Sequence, residues 1–184
     1  MRTELKLAGF GGQGVILMGV LMAQAAGYHE GKEVAQTQSY GPEARGGACR
    51  AEVVISDEQI DYTKTLDPDI FVAMSQPAFD KYIEGIDTDT ASVFVDETLV
   101  TEIPATVKNL HRIPATKLAE EKLSNKLVAN TIMLAALISA TKLVSIDALK
   151  SAITQNLPAK IQAVNIEAVD LALAHCNGQG GRDR

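Results

Sequence analysis

Tryptophan is absent from this chain, and phenylalanine and tyrosine bring the aromatic share to only 4%. The core must therefore be built from aliphatic side chains and alanine, within a hydrophobic share of 46%. Cysteine is scarce as well. Cys49 and Cys176 share no short spacing, so they do not read as a zinc, iron–sulfur or redox pair. A disulfide framework is not expected, and a reducing compartment fits. Basic residues are outnumbered, 17 against 23 acidic ones, for a net charge of −6. Without a cationic stripe interleaved with aromatics, nucleic-acid binding is not expected. Long apolar runs are missing too. The most apolar stretch, 15–26, is interrupted by Gln24 and falls short of the roughly 20 residues a membrane span needs. The opening Arg2-Thr3-Glu4-Leu5-Lys6 alternates instead of leading into an apolar run, so it does not resemble a secretory signal. A cytoplasmic protein is expected.

What is present is punctuated by glycine. Glu4-Leu5-Lys6-Leu7-Ala8 alternates like a strand and is followed by Gly9-Phe10-Gly11-Gly12-Gln13-Gly14. Residues 15–23 are apolar nearly all round, as a buried helix would be, and Gly31 stands where a helix ends. A short second strand over 34–38 leads into Ser39-Tyr40-Gly41-Pro42-Glu43-Ala44-Arg45-Gly46-Gly47. Further strands are predicted over 50–56, 69–74, 92–96 and 108–113, the last as an edge strand, with a helix starting at Phe79. From Ala115 onward, Leu118, Leu123, Leu127, Ile132, Leu134, Leu137 and Ile138 recur at helical spacing. Ser145 reads as an N-cap, Pro158 as a break, and 160–174 as the last helix. Strands alternating with helices predict one α/β domain over 1–176, Rossmann-like and three-layered, with a mostly parallel sheet and a helical C-terminal third. Residues 177–184 read as a disordered tail.

Two glycine-rich segments at strand carboxyl ends mark the crevice where an open α/β sheet binds ligands or partners. In the first, Gly9, Gly11 and Gly14 satisfy G-x-G-x-x-G between a strand and a helix. Such glycines permit close approach of a phosphate or a neighbouring chain, or simply of the helix to the sheet. A dinucleotide site also needs an acidic residue at the end of the second strand. Here that end reads Gln36-Thr37-Gln38-Ser39, which opposes NAD(P). The second segment is more distinctive. Pro42 fixes φ while Gly41, Gly46 and Gly47 free it, and Tyr40, Glu43 and Arg45 are embedded between them. Glu43 and Arg45 would face one way on an extended segment, either as a solvated pair or as part of a functional loop.

In this order, the two segments resemble the gamma subunit of 2-oxoacid:ferredoxin (acceptor) oxidoreductases, of the 2-oxoglutarate or pyruvate type. The resemblance continues through Ile55-Ser56-Asp57 and Ala129-Asn130-Thr131-Ile132-Met133-Leu134 and spans roughly residues 4 to 170. It implies coenzyme A-dependent oxidative decarboxylation of a 2-oxoacid, with 2-oxoglutarate favoured, to acyl-CoA and CO2. Electrons would pass to ferredoxin or another acceptor. It also implies alpha, beta and ferredoxin-like delta partner subunits that bear thiamine diphosphate, Mg and iron–sulfur clusters, and a homodimeric assembly. Two isolated cysteines cannot ligate a four-cysteine cluster, and no Gly-Asp-Gly with paired asparagines is present to hold thiamine diphosphate. The expectation is therefore a non-catalytic subunit with an assembly or gating role. Its candidate ligand- or partner-binding residues are Gly9, Gly11, Gly12, Gln13, Gly14, Ser39, Tyr40, Gly41, Glu43, Arg45, Gly46 and Gly47. The competing readings are a stand-alone NAD(P)-dependent dehydrogenase and a nucleotide-binding structural dimer module.

Other chemically able residues read as structural. His29 suits a helix-dipole contact, and His111 a strand face. Asp96-Glu97 reads as a hydrated turn. Asn130, inside an apolar helix, calls for a buried hydrogen bond.

Overall fold

The computed structural model describes residues 1–39 and 47–179. Six strands form one sheet: β1 (Arg2–Phe10), β2 (Glu33–Gln38), β3 (Ala48–Ser56), β4 (Ile70–Ala73), β5 (Ser92–Asp96) and β6 (Asn109–Ile113). Their order is β2-β3-β1-β4-β5-β6. β1, β4, β5 and β6 pair in parallel, whereas β3 runs antiparallel to both β1 and β2. One strand is thus reversed and the other five share a direction. The expected mostly parallel sheet is present, with β6 at an edge.

Six helices complete the fold: α1 (Val15–Gln24), α2 (Gln76–Tyr82), α3 (Ala115–Leu123), α4 (Ala129–Thr141), α5 (Ile146–Asn156) and α6 (Ala159–Gln179). They cover the sheet unequally, because strand side chains alternate between its faces. Leu5 and Leu7 of β1, Ala51 and Val53 of β3, and Val72 of β4 point to the larger core, which α1, α4, α5 and α6 close. Ala8, Phe71, Ala73, Val93 and Val95 point the other way, to a smaller core under α2. Three layers result. α4 is buried from Ala129 through Ile138, which is why its sequence is apolar on every side.

Two local expectations need correction. α1 is not buried all round: Val15, Met18, Leu21 and Met22 are buried, but Ile16, Leu17 and Val20 keep part of their surface. α1 also continues into a π-helical turn over Ala25–His29, where His29 Nε2 is buried and has no hydrogen-bond partner among the described residues. The last helix runs to Gln179, five residues beyond its expected end, and takes up the start of the expected tail. Nothing in residues 175–179 interrupts a helix except Gly178, which costs only about 1 kcal/mol relative to alanine.

Ser145 caps α5 as read from the sequence, its Oγ accepting from Ala148 N at 3.1 Å. Ser145→Ala should lower stability by about 1 kcal/mol, measurable as a shift in urea midpoint.

His111 on β6 stacks flat on Phe94, ring centroids 4.3 Å apart and planes 9° apart. Burial holds its imidazole below the ordinary value. The folded chain therefore binds fewer protons at this site than the unfolded chain does. Its contribution to stability is lost as pH falls through the unfolded value of about 6.5, and the loss levels off below the folded value. The ring is half-exposed, so the loss stays well under about 1 kcal/mol. His111→Phe keeps the stack and should flatten the fall in stability between pH 7.5 and 5.5, as read by denaturant titration.

Candidate functional site

Gly47, a described end of the second glycine segment, meets the first segment at one end of the sheet. Phe10 of β1 stands opposite Ala48 of β3, and Gly11 N donates to Gly47 O at 2.9 Å. Ser39 closes the β2–β3 ladder: its N donates to Arg50 O at 2.9 Å and its Oγ accepts from Arg50 N at 3.0 Å. Tyr40, Gly41, Glu43, Arg45 and Gly46 lie outside the described residues.

The glycines of the first segment divide by what surrounds them. A Cβ on Gly9 would stand 2.6 Å from Val15 Cγ1 and 3.2 Å from Met74 Cβ. One on Gly14, at φ +76, would stand 2.3 Å from Asn130 Nδ2. These two serve the close approach of α1 to β4 and α4. Gly12, at φ +99, is exposed, and a Cβ there would meet nothing within 4 Å among the described residues, so another molecule can reach it. Gln13 is occupied within the chain. Its Oε1 accepts from Phe10 N at 2.6 Å and its Nε2 donates to Met74 O at 2.8 Å, tying the loop to the end of β4. Asn130, 2% exposed, donates from Nδ2 to Gly14 O at 3.2 Å, the buried structural bond expected of it.

Beside Gly12 and Gln13 opens a cavity of about 210 Å³, also lined by Met74, Leu99, Thr116 and Leu127. Phe10, Leu99 and Leu127 stand exposed, Leu127 by 76%. Across Gly12, the half-covered Ile16, Leu17 and Val20 line a second, largely apolar hollow of about 450 Å³. The polar groups of the first cavity already have partners. Lys126 pairs with Glu120, and Thr116 is held by Asp96. The end of the sheet thus presents apolar surface around an open glycine. Exposed apolar surface is a feature that interaction sites share.

Asp96 corrects the sequence reading. It is not a hydrated turn but fully buried at the carboxyl end of β5. Its Oδ2 accepts from Thr116 N at 3.0 Å and Thr116 Oγ1 at 2.5 Å, and its Oδ1 from Thr98 N at 3.1 Å. It anchors the first turn of α3, where a negative charge also suits the helix dipole. The sequence held a signal in the apolar Val93-Phe94-Val95 that precedes it, although nothing local pointed to Thr116. Glu97 is exposed, as expected.

The sheet order adds to the case against a dinucleotide. In that fold the strand ending in the ribose-binding acid lies parallel beside β1. Here the antiparallel β3 takes that place and β2 is displaced to the edge. His29, His111 and His175 sit on separate elements, as do Cys49 and Cys176. Among the described residues, no group of three or more His, Cys, Asp or Glu is placed to hold a metal ion. No helix of the described residues is long and apolar enough to cross a membrane.

Fold and crevice together define an open α/β domain that offers other molecules an apolar, glycine-centred surface. A family model described as pyruvate ferredoxin/flavodoxin oxidoreductase matches residues 4–175. The chain belongs to this family, among its gamma-type subunits. It is 46% identical over 170 residues to the 2-oxoglutarate synthase subunit KorC of Methanocaldococcus jannaschii, covering 91% of this chain and 90% of that one. Against the KorC subunit of Methanothermobacter marburgensis the identity is 48% over 173 residues, covering 91% and 93%. Among solved structures, the keto/oxoacid ferredoxin oxidoreductase gamma subunit of Geobacter sulfurreducens superimposes with a TM-score of 0.86 at 33% identity, covering 97% of this chain and 98% of that one.

Proposed function

We propose that this chain is the gamma subunit of a 2-oxoglutarate:ferredoxin (acceptor) oxidoreductase. The complex converts a 2-oxoacid and coenzyme A to acyl-CoA and CO2 and passes the electrons to ferredoxin or another acceptor. The single observation that carries this reading is the sheet end, where Gly12 lies open between two apolar hollows, the first of which has its polar side chains paired within the chain. Surface built this way suits a protein partner better than it suits catalysis by the chain's own side chains. The chain holds two cysteines in all, so a four-cysteine cluster must lie elsewhere.

In this reading the alpha and beta subunits carry thiamine diphosphate with its Mg, and a ferredoxin-like delta subunit carries iron–sulfur clusters. The whole assembly pairs two protomer sets in the cytoplasm. The gamma chain supplies assembly or gating: its glycine segments face the thiamine-bearing subunits or cover the coenzyme A site. Arg45 meets a coenzyme phosphate or a partner carboxylate. The KorC relatives favour 2-oxoglutarate over pyruvate.

The test is native affinity purification through this chain. The eluate is assayed for coenzyme A-dependent viologen reduction with 2-oxoglutarate, pyruvate and branched-chain 2-oxoacids. Co-elution of thiamine- and cluster-bearing subunits with activity is expected, fastest with 2-oxoglutarate. A chain that elutes alone and inert while its partners are expressed would sink the reading. Leu127→Asp removes an exposed apolar contact and should leave the melting temperature within about 1 °C. It should reduce the co-eluting partner subunits by about tenfold, because a desolvated charge at an interface core costs more than about 1.4 kcal/mol.

A further inference from the structure

The edge strand β6 carries chemistry that the glycine crevice does not use. It pairs with β5 alone, so one side of its backbone faces away from the sheet, at the opposite edge from β2 and the second glycine segment. In a parallel pair, alternate residues turn both backbone groups toward the neighbouring strand. Ile113 O accepts from Glu97 N at 3.0 Å, which sets the phase. Asn109, His111 and Ile113 face β5, and Leu110 and Arg112 face outward. Among the described residues, nothing pairs with the N–H and C=O groups of Leu110 and Arg112. Open edge groups of this kind are a template for another strand.

The side chains along this edge decide which strand fits. No Asp or Glu occurs between Glu102 and Glu120, whereas Lys108, Arg112 and Lys117 all fall in that interval, in a chain whose net charge is −6. All three cations are exposed. Among the described residues, the side chains of Lys108 and Arg112 enter no ion pair and no hydrogen bond. Arg112 stands opposite Val95 and so points to the α2 face, where an acidic residue on a seventh strand would lie beside it. On the other face, His111 stands opposite Phe94 and stacks flat on it, centroids 4.3 Å apart. That spacing is close to the roughly 4.8 Å between neighbouring strands, so the stack runs in the direction in which strands are added. The imidazole is half-exposed, and a seventh strand would bring a side chain against its outer face. A second copy of β6 does not fit there, because pairing two such edges sets like charges side by side. Cations on an edge repel their own kind and favour an acidic strand.

We infer that the outer edge of β6 takes up an extended acidic segment of a protein partner as a seventh strand, with an aromatic residue opposite His111 and a carboxylate beside Arg112. The backbone groups of Leu110 and Arg112 bind the segment, Lys108 and Arg112 select its charge, and His111 sets its register. This goes beyond the subunit reading above and does not rest on it, because it is assayed by binding to the chain alone, without partner subunits or turnover.

NMR on the isotope-labelled full chain in low salt, with the peptide Glu-Val-Glu-Phe-Glu-Val-Glu as probe, tests it. With Phe opposite His111, one Glu falls beside Arg112 whether the peptide runs parallel or antiparallel to β6. Saturable shifts of the amide resonances of 108–113 are expected. At saturation, hydrogen exchange of the Leu110 and Arg112 amides should slow at least about tenfold. The peptide Lys-Val-Lys-Phe-Lys-Val-Lys should not bind. Raising the salt to about 0.5 M should weaken binding of the acidic peptide, since exposed charges are screened. The K108E/R112E variant changes two exposed side chains, so it should keep its melting temperature. It should bind the acidic peptide at least about tenfold more weakly and gain binding of the lysine peptide, because attractive pairs become repulsive ones and the reverse. The proposal is overturned if no saturable shift at 108–113 appears up to about 5 mM peptide. It is also overturned if both peptides bind the parent alike, if binding leaves exchange at Leu110 and Arg112 unchanged, or if replacing the peptide's Phe by Gly makes no difference. Binding of an oligothymidylate with no binding of the acidic peptide would overturn it and give the cations to a nucleic acid. Concentration-dependent dimerisation that K108E/R112E abolishes would overturn it as well and give the edge to a second copy.

Discussion

Gly14→Ala should cost about 3–5 kcal/mol and lower the melting temperature by roughly 10 °C. Three costs coincide at this position. The backbone sits at φ +76, where an L side chain is strained by about 1 kcal/mol. The new methyl would stand 2.3 Å from Asn130 Nδ2, so the amide must move. Asn130 is 2% exposed, and once displaced from Gly14 O it finds no water to replace the 3.2 Å bond. Gly12→Ala is the internal control. At φ +99 with nothing within 4 Å among the described residues, it should cost only the backbone strain, about 1 kcal/mol. Denaturant titrations of both variants decide the matter. Equal losses would mean that Asn130 does not constrain Gly14. A double-mutant cycle adds a second check: in an Asn130→Ala background the collision is gone, and Gly14→Ala should cost clearly less.

Asp96→Ala should destabilise the chain by about 3 kcal/mol. The carboxylate accepts three hydrogen bonds, from Thr98 N, Thr116 N and Thr116 Oγ1, and it is fully buried. Alanine would leave those donors without a partner at a site closed to water, and α3 would lose the anion at its first turn. Thr116→Val should cost less, about 1 kcal/mol, since it removes one of the three bonds and leaves the carboxylate its backbone donors. Chemical denaturation measures both variants. A loss below about 0.5 kcal/mol for Asp96→Ala would show that the carboxylate is not the anchor of α3. Because α3 and the turn after β5 border the apolar cavity through Thr116 and Leu99, assembly with partner subunits should weaken along with stability.

Much of this architecture is visible in the order of residues because local chemistry fixes it. Short apolar runs, as at β4 and β5, have few ways to be satisfied except as buried strands. Ser145 caps a helix from three residues away, so its role is contained in a short window. The glycine segments were equally visible, since few side chains tolerate the angles and approaches they supply. Asp96 was misread because its partner, Thr116, lies twenty residues on, and only the pairing of β5 with β6 brings the start of α3 back to the strand end. The exposed side of α1 was misread because an apolar pattern states that a face avoids water, not which molecule covers it.

Composition and spacing by themselves determined the α/β class, the aliphatic core, the two glycine segments and the lack of ligands for a cluster. These are properties of single residues and short windows, where propensity and stereochemistry act over one turn or one strand. The tertiary structure alone decided two further things. It inserted an antiparallel β3 between β1 and β2, which removes the dinucleotide geometry. It split the glycines into Gly9 and Gly14, spent on internal packing, and Gly12, left open. Each is a question of which distant surfaces meet, and that is settled by the packing of the whole sheet and its helices, not by any local preference.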